Sequence, residues 1–134
     1  GPVPGPKQLA DVAFGFRMAK EMSRLDVGQT VVVKRGTVLA VEAFEGTDEC
    51  IKRGGALGKG GATLAKVSKP GQDFRFDVPV VGPRTIQTAA GAGIGVIAVE
   101  ARRTLLLGLD EIRTLCDQHR ISLVATEGEG PGAA

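Results

Sequence analysis

Charged side chains are concentrated in residues 66–77, which read KVSKPGQDFRFD. Pro70-Gly71 predicts a tight turn, in which the glycine is free to adopt a positive φ. If the chain after the turn is extended, Asp73, Arg75 and Asp77 share one face, and the two phenylalanines between them point the other way. Carboxylates that bind Mg²⁺ beside cations that neutralise phosphate oxygens suit a phosphate–metal site. A salt-bridged edge strand would have the same pattern, so both interpretations stay open.

A second group of oxygen donors lies in the stretch EAFEGTD, which contains Glu42, Glu45 and Asp48. Glu42 stands on an otherwise apolar strand, at the point where that strand leaves the sheet. In open α/β sheets, ligands bind at such an edge. Three carboxylates within a seven-residue stretch fit oxygen ligation of Mg²⁺. The alternative is a solvated acidic turn in which Thr47 or Asp48 caps the next helix.

Three other motifs offer weaker signals. Residues 82–85, GPRT, open a predicted helix whose free N–H groups would form an anion cradle or an ordinary helix start. The glycine-rich stretch GGALGKGG is not a Walker A loop, because Gly60 stands where a Ser or Thr would hold Mg²⁺. The string GIGVIA follows a helix and precedes a strand, the reverse of the dinucleotide fingerprint. His119, the only histidine, lies near a predicted helix end, where a surface role is expected.

Helical and strand patterns alternate along the chain. Apolar residues recur at helical spacing from 7 to about 24, and β-branched runs at 29–34 and 37–43 flank Arg35-Gly36 as a predicted β-hairpin. Further helices are predicted at 48–57, 83–90 and 110–119. Further strands are predicted at 62–67, 95–100 and 121–124, with a short edge strand at 105–107. We therefore expect an α/β single domain with a mixed, mostly buried sheet, flanking helices and a hairpin in its N-terminal half.

Length and composition limit the function classes. The chain has 134 residues, which suit one domain, and we expect a linker at 1–6, the folded domain at 7–126 and a disordered tail at 127–134. A net charge of +2 with no Trp or Tyr argues against nucleic-acid binding. The apolar runs are too short to cross a bilayer, and Cys50 and Cys116 are expected to be reduced thiols, so a cytoplasmic location is expected.

Three strings together resemble one family. FGFRMAKEMSRLDVGQTVVV, VLAVEAFEGTDECIKR and KVSKPGQDFRFDVPVVGPRTI are similar to the C-terminal domain of LpxI-type UDP-2,3-diacylglucosamine pyrophosphatases, from about Asp11 to Val124. The resemblance implies hydrolysis of the acylated UDP-sugar to UMP and 2,3-diacylglucosamine 1-phosphate (lipid X), in the lipid A pathway of Gram-negative bacteria. It also implies a divalent metal, Mg²⁺ or another such as Mn²⁺, and an N-terminal domain of the same enzyme that helps to hold the substrate.

The resemblance also implies roles for single residues. The expected metal ligands, which would also orient the attacking water, are Asp73, Asp77, Glu45 and Asp48. The expected catalytic residues are Asp73 and Asp77, together with Lys69 and Arg75. The two cationic side chains would hold the pyrophosphate and stabilise the charge that develops on it. Weaker candidates for substrate contacts are Lys66, Thr47, Gln72, Gln29 and Thr85.

Two other functions are compatible with the sequence. The domain could be a non-catalytic module that binds a sugar nucleotide or phosphate, or a dimerisation unit of its parent protein that forms a homodimer. Carboxylates that converge on a metal-sized site would favour catalysis, whereas a large exposed apolar patch elsewhere would favour dimerisation. Since no strongly amphipathic basic helix is visible, contact with the inner membrane is expected to be peripheral at most.

Overall fold

The computed structural model describes residues 1–69 and 79–127. Its helices are α1 (Pro6–Arg24), α2 (Thr47–Gly58), α3 (Pro83–Gly91) and α4 (Leu109–His119). Its strands are β1 (Thr30–Lys34), β2 (Thr37–Val41), β3 (Ala62–Lys66), β4 (Val80–Val81), β5 (Ile94–Glu100), β6 (Leu105–Leu106) and β7 (Ser122–Thr126). Among the helices of these residues, none is long and apolar enough to cross a membrane.

Five of the strands form one mixed sheet in the order β2-β1-β3-β5-β7. β1 is antiparallel to both β2 and β3, whereas β3, β5 and β7 are parallel. It follows that β2, β3, β5 and β7 all end at the same side of the sheet, which we name the carboxyl edge. The turn from α1 into β1 and the N-terminus of α2 lie at this edge too, because each is joined to a strand end there. The N-terminus of α3 lies nearby, since Arg84 in its first turn pairs with Asp48 of α2.

Both faces of the sheet are covered, and alternate strand residues serve the two faces. On one face, Val31 and Val33 of β1 pack with Phe16 and other apolar residues of α1. On the opposite face, Val32 packs with apolar residues of α2, α3 and α4, among them Ile51. Burial on both faces explains why the strands are nearly continuous apolar runs, as a sheet with parallel central strands requires.

The predicted α/β domain with a mixed sheet and an N-terminal-half hairpin is confirmed. The strand at 105–107 differs from the prediction in its partner: it does not lie at the edge of the main sheet. Leu105 pairs with Val80 of β4 in a separate two-stranded parallel sheet. β4 was not predicted, because a two-residue strand is too short to show a period, and its pairing depends on a distant partner. Both cysteines are free, in line with the expected reduced thiols, and both are buried.

The hairpin turn is fixed to helix α1 by one carboxylate. Arg35 and Gly36 both have positive φ angles, 52° and 72°, as the tight turn between two antiparallel strands requires. Asp11 accepts hydrogen bonds from the backbone N–H of Arg35 at 2.8 Å and of Gly36 at 3.1 Å. This contact lies at the end of the sheet opposite the carboxyl edge and aligns the hairpin with α1.

Gly28 permits a close backbone contact at the carboxyl edge, and we predict that Gly28→Ala destabilises the domain. A Cβ at this position would overlap the carbonyl oxygen of Glu42. Because the backbone must then move, we expect the free energy of unfolding to fall by at least about 1 kcal/mol. Urea denaturation measures it. Gly91→Ala is the control, because a Cβ there meets nothing within 4 Å; an equal loss in both variants would contradict the packing explanation.

Candidate functional site

Lys66, the last residue of β3, is the centre of a group of charged side chains at the carboxyl edge. Its Nζ donates a hydrogen bond to the carbonyl oxygen of Val80 at 3.1 Å. Burial lowers the pKa of Lys66, and the nearby carboxylates of Glu42 and Asp48 oppose that shift without cancelling it. The Lys66 ammonium is therefore held in partly buried surroundings between two acids.

Asp48 and Thr47, in the first turn of α2, connect this group to two further elements. The Oδ2 atom of Asp48 lies 3.1 Å from Nε of Arg84, in the first turn of α3. The hydroxyl of Thr47 lies 3.5 Å from Oε2 of Glu42 and 3.5 Å from the hydroxyl of Thr30. We name Glu42, Thr47, Asp48, Lys66 and Arg84 the edge cluster. Gly46, not Thr47 or Asp48, is the N-cap of α2, so these two side chains are not used as helix caps.

Glu45, like Glu42, follows strand β2, but it contacts a residue outside the edge cluster. Its Oε1 atom lies 2.7 Å from the guanidinium of Arg53, which also donates to the carbonyl oxygen of Val41. The hydrogen bond from Arg53 lowers the pKa of Glu45. Glu42, which was not among the predicted metal ligands, belongs to the edge cluster, whereas Glu45 does not. Its position on an otherwise apolar strand was the sequence signal for it.

Residues 67–69, which we name the root segment, lead directly to the KPGQDFRFD stretch and are bound to several elements. Gln29 donates from its side-chain amide to the carbonyl oxygen of Val67 at 3.1 Å, and the Val67 N–H donates to the Gln29 carbonyl at 2.9 Å. Nζ of Lys69 lies 2.8 Å from the Asp26 carboxylate. The Asp26 and Gln29 of the DVGQ string thus hold both ends of the root segment.

Ser68, in the middle of the root segment, is bound to Glu100 at the end of β5. The Ser68 N–H and hydroxyl donate to Oε1 of Glu100 at 2.9 and 2.7 Å. Lys20 of α1 donates to the same oxygen at 2.8 Å and to the Ser68 carbonyl at 3.1 Å. Burial would raise the pKa of Glu100, but the hydrogen bonds from Lys20 and Ser68 outweigh it, and the pKa lies below its ordinary value. Glu100 is therefore ionised at neutral pH.

A cavity of about 500 Å³ lies beside Glu100 at the carboxyl edge. It is lined by Ala101, Arg102, Arg103 and Glu127 as well as by Glu100. Arg102 lies 3.5 Å from the Glu127 carboxylate, and Arg103 lies 3.9 Å from the second oxygen of Glu100. The carboxyl edge thus carries an open polar surface next to the root segment.

The predicted site residues that the structure describes all lie at the carboxyl edge. They are Gln29, Glu45, Thr47, Asp48, Lys66, Lys69 and Thr85. The predicted residues Gln72, Asp73, Arg75 and Asp77 lie outside the described residues and stay predictions. Within 1–69 and 79–127, no group of three or more His, Cys, Asp and Glu side chains could hold a metal ion.

Solved structures with the same fold include deaminases. Acinetobacter baumannii RibD has a TM-score of 0.53 at 12% identity, over 88% of this chain and 36% of that chain. The dCMP deaminase of cyanophage S-TIM5 has a TM-score of 0.50 at 15% identity, over 92% of this chain and 100% of that chain. Identities this low show the fold alone. The H-x-E and C-x-x-C motifs of zinc deaminases do not occur in this sequence, in which His119 is the only histidine.

Sequence comparison shows the family. The UDP-2,3-diacylglucosamine pyrophosphatase LpxI of Caulobacter vibrioides is 41% identical over 122 residues. The match covers 85% of this chain and 44% of that protein, so the chain spans less than half the length of this relative. Residues 2–124 match the family described as the LpxI C-terminal domain. The resemblance seen in the DVGQ, EGTD and KPGQDFRFD strings is thereby confirmed, and the chain belongs to the LpxI C-terminal domain family.

Proposed function

We propose that this domain forms the catalytic half of an enzyme that hydrolyses UDP-2,3-diacylglucosamine to UMP and 2,3-diacylglucosamine 1-phosphate, a step of lipid A assembly. The proposal is supported by the family and by the name of the Caulobacter relative. The observation that carries it is the edge cluster, in which Lys66 and Arg84 stand beside the carboxylates of Glu42 and Asp48. Mixed cations and acids of this kind suit a pyrophosphate better than they suit an apolar ligand.

The proposed cofactor is Mg²⁺ or another divalent cation such as Mn²⁺. Its proposed ligands are Asp73 and Asp77 together with Asp48. Glu45 was also a predicted ligand. Its ion pair with Arg53, like that of Asp48 with Arg84, would have to open for the cation, and Glu42 is a further candidate on this strand end. Carboxylate oxygens are the donors that Mg²⁺ prefers. When bound, the ion would polarise a phosphoryl oxygen of the substrate.

In the proposed reaction, a water oxygen attacks one phosphorus of the pyrophosphate and forms a bond to it, while the protons of that water pass to the solvent. The bond between that phosphorus and the bridging oxygen breaks, and the bridging oxygen leaves with the other phosphate group. Lys69 and Arg75, with Lys66 and Arg84, would neutralise the negative charge that the phosphate oxygens gain in the transition state. Such preorganised charge is the main term in phosphoryl transfer.

The rest of the proposed enzyme would close the site from the open side of the carboxyl edge. This chain spans 44% of the relative, and we assign the other part, an N-terminal domain, to holding the diacylated sugar. The acyl chains would place the enzyme at the cytoplasmic face of the inner membrane through peripheral contact.

Release of UMP tests the proposed function. We expect the full-length enzyme that contains this domain to release UMP from UDP-2,3-diacylglucosamine in the presence of Mg²⁺. Excess EDTA should lower the rate by at least about 100-fold, since metal polarisation of the phosphate supplies several kcal/mol of the rate enhancement. Added Mg²⁺ should restore the rate. UMP is quantified by chromatography, with the isolated domain assayed in parallel.

Two outcomes would contradict this proposal. If the full-length enzyme releases no UMP but still binds the nucleotide sugar, the domain is a binding module. If EDTA leaves the rate unchanged, the carboxylates of the edge cluster and of the KPGQDFRFD stretch have a role other than metal binding.

A further inference from the structure

We infer that Glu100 is a positioning residue for the proposed reaction: its carboxylate fixes the root segment, which contains Lys69 and leads into the KPGQDFRFD stretch. The inference rests on the proposed function, to which it adds a residue that neither the strings nor their resemblance singled out. Glu100 acts through Ser68, so we assign it no contact with the substrate.

The contacts of Glu100 join three separate elements at one oxygen. Oε1 accepts the Ser68 N–H, the Ser68 hydroxyl and the Lys20 ammonium, all within 2.9 Å. The Glu100 side chain is only 9% exposed. Ser23 of α1 and Lys20 both donate to the Ser68 carbonyl, at 3.3 and 3.1 Å, so the backbone of Ser68 is held on both of its polar sides.

The sheet itself does not hold Ser68. The parallel pairing of β3 with β5 ends at Lys66 and Val99, and the pairing with β1 reaches no farther than Val67. Among the described residues, the Ser68 N–H has the Glu100 carboxylate as its partner, not a strand carbonyl. The position of Ser68 therefore depends on side chains, those of Glu100, Lys20 and Ser23, and not on the ladder of the sheet.

A buried carboxylate of this kind is a costly way to stabilise a fold. Desolvation offsets most of what a buried ion pair gains, and apolar replacements are often as stable. What the Glu100 side-chain oxygen provides is a defined geometry for Ser68, since it accepts both Ser68 donors. Lys69, a predicted catalytic residue, directly follows Ser68, so a shift of Ser68 moves the backbone from which the Lys69 side chain projects. A misplacement of about 1 Å at such groups costs about 100-fold in rate.

Three variants of the full-length enzyme test the inference by their kinetics. We expect Glu100→Ala to lower kcat by about 10- to 100-fold, with KM changed by less than about threefold. Glu100→Gln should retain kcat within about fivefold, because its amide oxygen still accepts the two Ser68 donors. Ser68→Ala should stay within about threefold, because its N–H still donates to Glu100.

Asp11→Ala is the matched control. Like Glu100, Asp11 accepts hydrogen bonds from a neighbouring element, but its two donors are backbone N–H groups of the hairpin turn at the opposite end of the sheet. It should lower the melting temperature and leave kcat unchanged. If Glu100→Ala keeps the wild-type kcat, the positioning role is wrong. It is also wrong if Glu100→Gln lowers kcat as much as Glu100→Ala does, because the negative charge of Glu100, and not its contact with Ser68, would then matter.

Amide hydrogen exchange provides a readout without substrate. In Glu100→Ala we expect the amides of Ser68 and Lys69 to exchange at least about tenfold faster, with those of β1 and β5 unchanged, and Asp11→Ala should leave Ser68 protected. Unchanged exchange at Ser68 would overturn the inference. If the wild-type enzyme releases no UMP, the proposed function fails, but the exchange result still decides whether Glu100 fixes the root segment.

Discussion

Asp73→Ala and Asp77→Ala are each expected to lower the kcat of the full-length enzyme by about a thousandfold. Both carboxylates belong to the KPGQDFRFD string and are the proposed ligands of the divalent cation. Losing a ligand weakens the charge stabilisation that a bound metal gives to the phosphoryl oxygens, which is worth several kcal/mol, and about 1.4 kcal/mol corresponds to a tenfold change in rate. UMP release at saturating substrate, measured over a range of Mg²⁺ concentrations, gives the effect on both kcat and the metal requirement.

Asp117→Ala is a suitable control, since Asp117 is an exposed aspartate near the C-terminal end of α4. It should keep the wild-type rate and Mg²⁺ requirement. Near-normal turnover of both the Asp73 and the Asp77 variants would refute the proposed metal site. A loss of kcat that saturating Mg²⁺ does not reduce, and with no change in the Mg²⁺ concentration needed, would instead assign these carboxylates to water activation.

Lys66→Met is expected to lower kcat/KM by at least about 100-fold while leaving the melting temperature equal or higher. The activity loss follows because the Lys66 ammonium is proposed to neutralise phosphate oxygens, and removing one such donor costs about 100- to 1000-fold. The stability result follows from the pKa of Lys66, which burial lowers in the folded state. A lowered pKa means that the protonated form is less favourable in the folded chain than in the unfolded one, so its removal relieves a cost.

Lys34→Met is the matched control for this experiment. Lys34 donates to the carbonyl oxygens of Gly58 and Gly60 at 2.7 and 2.6 Å, where α2 ends, away from the carboxyl edge. Its loss should lower the free energy of unfolding by about 1–3 kcal/mol and leave activity unchanged. Thermal melts and UMP assays on both variants give opposite patterns if the assignments are right. A Lys66→Met protein that is less stable than Lys34→Met but fully active would contradict both assignments.

The architecture of the domain could be predicted because its signals are local. Helix α1 shows an apolar repeat, and Arg35-Gly36 between two β-branched runs indicates a hairpin turn without knowledge of the rest of the chain. The partner of Leu105 could not be predicted in this way. Strand pairing between Val80 and Leu105 is decided by packing across the whole domain, and two residues carry no period of their own.

The candidate site was only partly predictable, for a similar reason. Asp48 stands at the start of a predicted helix and Lys66 near the end of a predicted strand, so the sequence indicated both positions. The resemblance to the family indicated the acids of the KPGQDFRFD stretch. Glu100 also ends a predicted strand, but its role could not be predicted, because its partners Lys20 and Ser68 are 80 and 32 residues away along the chain. Nor does the sequence tell that Glu45 pairs with Arg53, eight residues later, and not with a ligand.

Residues 16–23 of helix α1, about two turns, contribute both to the core and to the position of the root segment. Phe16 and Ala19 close one face of the core, whereas Lys20 and Ser23 reach the root segment. Mutational tolerance along this helix should therefore be uneven: its outer surface can be redesigned for solubility or labelling, but its last two turns cannot be optimised for packing alone. A directed-evolution library that varies α1 freely will contain substitutions at these four positions that raise thermal stability but lower turnover.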